Sequence, residues 1–85
     1  MSYWVVFTHA AEKQYDALPA LVQSAIDACI AELAESGRVR GEAKVLKYTG
    51  IWRARAGDYR IFYGRPDGQG IIRIARVAHR SIVYR

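Results

Sequence analysis

The sequence is poor in residues that staple or break a chain. One cysteine, Cys29, stands among 85 residues, which excludes an internal disulfide framework and a cysteine-rich zinc site. Two prolines are too few for a disordered, proline-rich chain. No apolar run approaches the ~20 residues that span a bilayer, and the N-terminus lacks the charged start and cleavage site of a secretory signal. A reducing cytoplasm is the expected location, with no membrane partner. Cations are scarce in one half only. Residues 1–36 set Lys13 against Glu12, Asp16, Asp27, Glu32 and Glu35, whereas residues 37–85 set twelve Lys and Arg against Glu42, Asp58 and Asp67. The net charge of +5 therefore joins an acidic half to a strongly basic one. A basic half of this kind suits a polyanion, although a solvated face kept for solubility would give the same count.

What is present is the pattern of a folded protein. Hydrophobic residues make up 52% of the chain, but one this short buries only roughly 60–65% of its unfolded surface. The expectation is a single small domain, residues 1–85, without a deep cofactor cleft. Tyr3 to Phe7 is an aromatic and β-branched run that predicts a strand. Thr8 can cap a following helix, with Glu12 in its first turn and Ala11, Tyr15 and Leu18 at helical spacing. Pro19 interrupts that helix or starts another. Val22, Ala25, Ile26, Cys29, Ile30 and Leu33 then trace the apolar stripe of an amphipathic helix that Gly37 can stop. Residues 38–50 have no clean period and read as a basic loop.

From Ile51 the pattern becomes that of strands. Trp52, Ala54 and Ala56 alternate with Arg53 and Arg55. Gly57-Asp58 suits a two-residue type II′ hairpin turn, with Tyr59 to Gly64 as the return strand. Arg65-Pro66-Asp67-Gly68 has the residue order of a type I turn, and Ile71 to Val77 predicts one more strand. The tail from Ala78 is too short to assign. The order β-α-α-β-β-β is that of an α+β fold, a helical hairpin packed on a mostly antiparallel sheet.

Three arginines stand out in that frame. Arg53 and Arg55 leave one face of a strand about 6.8 Å apart, comparable to the spacing of phosphates along a single nucleic-acid strand. Arg60, across the turn, falls within reach of the same patch. Guanidinium binds phosphate bidentately and keeps its charge, although a charged outer sheet face is also common without any ligand. The tail adds His79, Arg80 and Tyr84, an imidazole able to exchange protons near neutral pH and a phenol that does so only with help from its surroundings. A glycine-rich phosphate loop, a His-Glu metal signature and a Gly-x-Ser-x-Gly elbow are absent. The basic half holds too few acids for a magnesium cage. Any catalysis is expected to be free of metal and cofactor and to run on Arg, His and Tyr.

Trp52-Arg53-x-Arg55-x-Gly57-Asp58-Tyr59-Arg60-Ile61-Phe62-Tyr63, followed by Ile74-x-Arg76-Val77-x-His79-Arg80-x-x-Val83-Tyr84-Arg85, resembles the RelE/ParE superfamily of toxins from type II toxin–antitoxin systems. The resemblance covers essentially the whole chain and implies the RelE-like fold. RelE-like members cut messenger RNA in the ribosomal A site, whereas ParE-like members poison DNA gyrase. By resemblance to the former, Arg53 and Arg55 match a basic pair that grips the RNA backbone, with Lys47 and Arg76 counted in the same RNA-binding set. Arg60 matches an arginine near the scissile phosphate, Arg80 and Tyr84 a further arginine and a tyrosine of the active site. His79 corresponds to a position where some relatives use histidine as acid or base. The usual lysines of the first pair are arginines here, which cannot donate protons, and no Glu is evidently placed as a base. The expected function is a ribosome-dependent mRNA endoribonuclease that inhibits translation. The alternatives are a ParE-like gyrase inhibitor and an inactive toxin-fold binding protein. The resemblance also implies a cognate antitoxin that docks an acidic amphipathic segment, and operator DNA reached only through that antitoxin.

Overall fold

The computed structural model describes residues 2–45, 50–66 and 69–83. Strand β1, Trp4–Phe7, leads into helix α1, His9–Asp16, and helix α2, Ala20–Ser36. Four strands follow: β2, Ala43–Lys44; β3, Ile51–Ala56; β4, Tyr59–Gly64; and β5, Ile71–His79, before a one-turn helix α3, Arg80–Val83. The five strands form one sheet in the order β1-β5-β4-β3-β2, with β1 parallel to β5 and every other pairing antiparallel. The helical hairpin and the mostly antiparallel sheet are those expected. Three details differ. The basic loop contains β2, whose two residues pair with Arg53 and Trp52. Strand β5 runs two residues further, to His79, and the tail begins with α3. The expected turn at residues 65–68 lies partly outside the described residues, at Asp67 and Gly68.

Local chemistry accounts for these elements. The Thr8 hydroxyl accepts the Ala11 N–H at 3.2 Å, capping α1, an interaction whose loss costs about 1 kcal/mol. Pro19 occupies the residue before α2, where its missing N–H is no loss. Ile26, Cys29 and Leu33, at spacings of three and four, are the buried face of α2. Gly37 ends that helix at φ +76°, its N–H bonded to the Leu33 carbonyl at 2.8 Å. A Cβ there would lie 2.7 Å from the Tyr3 ring, so both the turn and the close approach require glycine.

The core lies between the helices and one face of the sheet, where Ala54, Ile61, Tyr63, Ile72, Ile74 and Val77 are buried. Pairing of β1 with β5 ends at Phe7–Ile74, and helix α1 takes over that edge. The Thr8 hydroxyl donates to the Ala75 carbonyl at 3.3 Å, and the Gln14 side-chain oxygen accepts the Val77 N–H at 2.7 Å. Side chains thus satisfy backbone groups that another strand would otherwise pair.

Candidate nucleic-acid interface

The β3–β4 hairpin is built on Gly57, whose φ of +61° supplies the positive angle that a type II′ turn needs at its first central residue. Its register sets Arg55 opposite Arg60 and Arg53 opposite Phe62. On the far side of β4, Arg60 pairs with Ala78 and Phe62 with Arg76. Directly paired residues share a face, so Arg53, Arg55, Arg60, Phe62 and Arg76 belong to one face, opposite the buried Ala54, Ala56 and Ile61.

Arg76 reaches that face because of a β-bulge. Tyr63 pairs with Ile74 and Phe62 with Arg76, which leaves Ala75 as the extra residue. In a regular strand Arg73 and Arg76, three apart, would point to opposite faces. The bulge resets the alternation, and the Arg76 guanidinium lies over the Phe62 ring at 5.5 Å from its centroid.

The arginines differ in freedom. Arg60 is only 5% exposed, and its guanidinium donates to the Gly57 carbonyl at 3.1 Å and the Tyr59 carbonyl at 2.9 Å. It is a cation held in place by its own turn. Arg55 is exposed and Arg53 half-buried. Together with Arg40 from the loop before β2 they line a groove of about 360 Å³. Arg40 is a member of the patch that sequence periodicity does not reveal, because its loop has no period and only the pairing of β2 with β3 brings it there.

The tail residues are placed separately. The Arg80 backbone N–H donates to the Asp58 carbonyl at 2.8 Å, and its Nε lies 4.0 Å from the Asp58 carboxylate. The start of α3 is thereby tied to the hairpin turn. His79 pairs with Tyr59, one residue out of step with Arg60 and Ala78, and its ring meets Tyr59 edge-on at 5.2 Å. The structure therefore brings Arg53, Arg55, Arg60 and Arg76 onto one face and Arg80 to the end of the hairpin, while His79 belongs to the other row. Lys47 and Tyr84 lie outside the described residues.

A second basic feature sits at the opposite end of β4. A cleft of about 680 Å³ is lined by Arg38, Lys44, Trp52, Arg65 and Arg73 among others. Arg65 stacks over Trp52 at 4.4 Å and pairs with Glu42 through two 2.9 Å contacts. Glu42 also accepts the Tyr63 hydroxyl at 2.6 Å and the Val39 N–H at 3.0 Å. Burial opposes ionisation of Glu42, but the Arg65, Tyr63 and Val39 hydrogen bonds outweigh it and hold the carboxyl below its ordinary range. Burial, then the Glu42 carboxylate, pushes the Tyr63 phenol far above its ordinary value. Neither group is a proton carrier near neutral pH. Cys29, buried in the core, has its thiol raised to about 11, first by burial and then by Glu32, which makes it unreactive.

Residues 5–84 match the family described as the ParE toxin of the type II toxin–antitoxin system, parDE. Toxin RelG of Mycobacterium tuberculosis is 30% identical over 86 aligned residues, covering all of this chain and 99% of that protein. The crystal structure of the toxin–antitoxin complex RelBE2 from the same organism contains a chain 29% identical, with a TM-score of 0.77 over 93% of this chain and 99% of the other. The archaeal RelE–RelB complex of Pyrococcus horikoshii OT3 gives a TM-score of 0.80 at 24% identity, over 94% and 97% of the two chains.

Proposed function

Because the chain belongs to the RelE/ParE superfamily of type II toxin–antitoxin toxins, we propose that it is a ribosome-dependent mRNA endoribonuclease that works without a metal. The observation that carries this reading is the sheet face of Arg53, Arg55, Arg60 and Arg76, with Arg60 fixed between two turn carbonyls. In the proposed reaction the RNA 2′-hydroxyl attacks the adjacent phosphate. The resulting phosphorane expels the 5′-oxygen of the next nucleotide and leaves a 2′,3′-cyclic phosphate. Arg53, Arg55 and Arg76 hold the backbone, joined by Lys47. Arg60 and Arg80 stabilise charge on the phosphorane; fixed cations aimed at developing charge are among the largest contributions to catalysis.

Proton transfer is given to Tyr84 in this reading, which would accept the 2′-hydroxyl proton and return one to the leaving 5′-oxygen. A site with so little acid–base machinery is consistent with dependence on the ribosome, which would position the RNA. The relatives crystallised as RelE–RelB and RelBE2 complexes support a cognate antitoxin, whose acidic segment would cover the same arginines between episodes of activity.

The match to the ParE family favours a second reading, inhibition of DNA gyrase without nuclease chemistry. Induction in cells, with primer extension on a reporter mRNA beside a gyrase supercoiling assay, separates the two. Codon-phased cuts that disappear in Arg60→Ala and Tyr84→Phe are expected. Intact transcripts with arrested supercoiling would establish the gyrase reading instead.

A further inference from the structure

The geometry points to His79 as the cap that holds α3, and with it Arg80, against the hairpin turn, and not as a proton-transfer group. The catalytic part of this assignment rests on the ribonuclease reading; the structural part does not. His79 Nδ1 accepts the Ser81 backbone N–H at 3.1 Å and lies 2.9 Å from the Ser81 hydroxyl. A backbone N–H can only donate, so Nδ1 holds the lone pair and the ring proton sits on Nε2. His79 immediately precedes α3 and receives the N–H of its second residue, the position in which Ser, Asp or Asn usually caps a helix.

The cap matters because, among the described residues, α3 has few other anchors. None of the residues Arg80–Val83 is buried, and Ile82 is 47% exposed. One isolated helical turn is unstable in water. The hydrogen bonds at its start are Arg80 N–H to the Asp58 carbonyl and Ser81 N–H to His79. The imidazole is itself fixed by edge-on packing against its strand partner Tyr59. If Nδ1 took a proton it would surrender the cap, and His79 leaves β5 out of step with the row that contains Arg60. Its effect on the reaction is therefore to position Arg80.

The test compares full-length His79→Asn, which keeps a capping acceptor but cannot exchange protons near neutral pH, with His79→Ala, which removes the acceptor. Amide exchange at Ser81–Val83 and cleavage of ribosome-bound mRNA are read on the same preparations. His79→Ala is expected to speed exchange and slow cleavage by about tenfold each, with His79→Asn restoring both to within about twofold of the parent. Should His79→Ala not fold, His79→Gln, whose longer amide overshoots the Ser81 N–H, replaces it. Cleavage lost equally in the Asn and Ala variants, with Ser81–Val83 protected in both, overturns the assignment and returns His79 to proton transfer. If the parent protein cuts no RNA, the ribonuclease reading fails and exchange decides alone. Faster exchange in His79→Ala then supports the cap, and unchanged exchange overturns it.

Discussion

Strand β4 has an arginine–carboxylate pair at each end, and the two pairs share little beyond their chemistry. Beyond Gly64, Arg65 meets Glu42 at 2.9 Å with side chains 17% and 9% exposed. Before Tyr59, Asp58 stands 4.0 Å from Arg80 with side chains 74% and 61% exposed. Oε1 of the first carboxylate accepts hydrogen bonds from Arg65, Tyr63 and Val39, while Oε2 rests on its ion pair with Arg65, and together they fasten the loop after α2 to the sheet. The second pair is loose and wet, and its arginine stays exposed to solvent. Burial thus separates these two arginines: Arg65 is committed to the fold, and Arg80 stands in solvent.

The sharpest way to break that contrast is Arg65→Ala. It leaves the buried Glu42 carboxylate with only the exposed Arg38, 3.9 Å away, as a cation and removes the guanidinium from Trp52. Removing one partner of a buried pair destabilises by about 3 kcal/mol or more, a large share of the stability of so small a chain, and urea denaturation measures it. The pH dependence follows from the lowered Glu42 carboxyl. A carboxyl held lower in the folded state contributes stability above its unfolded value of about 4.3, and loses it as pH falls through the folded value. The parent should therefore weaken on acidification below about pH 4, and Arg65→Met should show less of that dependence. A denaturation midpoint for Arg65→Ala equal to the parent's would erase the distinction between the two ends of β4.

Tyr63→Phe is a smaller perturbation of the same cluster. The ring stays in the core and only the hydroxyl donated to Glu42 is lost. One acceptor bond to a charged group is worth roughly 1.5–3 kcal/mol, and the lower end applies because Arg65 and Val39 still bond the same oxygen, Oε1. Toxicity on induction should be unchanged, since Tyr63 lies on the core face. A loss of toxicity without a loss of stability would mean that this cluster serves the site as well as the fold.

How much of this is legible in the sequence depends on the range of the interaction. Helix α2 reads directly from Ile26, Cys29 and Leu33 because one period fixes which residues are buried. The β3–β4 hairpin reads from Gly57-Asp58 and alternating arginines because the turn sets the register. Glu42–Arg65 does not read, since 23 residues separate the partners and neither lies in a periodic segment. Arg76 joins the arginine face only through the bulge at Ala75, and a bulge leaves no mark in a run of Ile, Ala and Val. His79 shows its chemistry in the sequence but not its role, because capping depends on where Ser81 falls in a helix too short to have a period.

The gentlest test is Asp58→Asn. The substitution leaves the Arg80 N–H bond to the residue-58 carbonyl intact, because that bond belongs to the backbone. It removes only an exposed charge whose pairing is worth less than about 0.5 kcal/mol, so the denaturation midpoint should hardly move. Binding should respond in the other direction. With the neighbouring negative charge gone, attraction of RNA to Arg80 rises, by about twofold at low ionic strength, and the gain should vanish where salt shortens the screening length to ~3 Å. Arg80→Ala in the same titration should weaken binding instead. If Asp58→Asn destabilises the protein as Arg65→Ala does, then Asp58–Arg80 is a structural clasp. Arg80 would then be committed to the fold, leaving Arg53, Arg55, Arg60 and Arg76 to carry the phosphate-binding face.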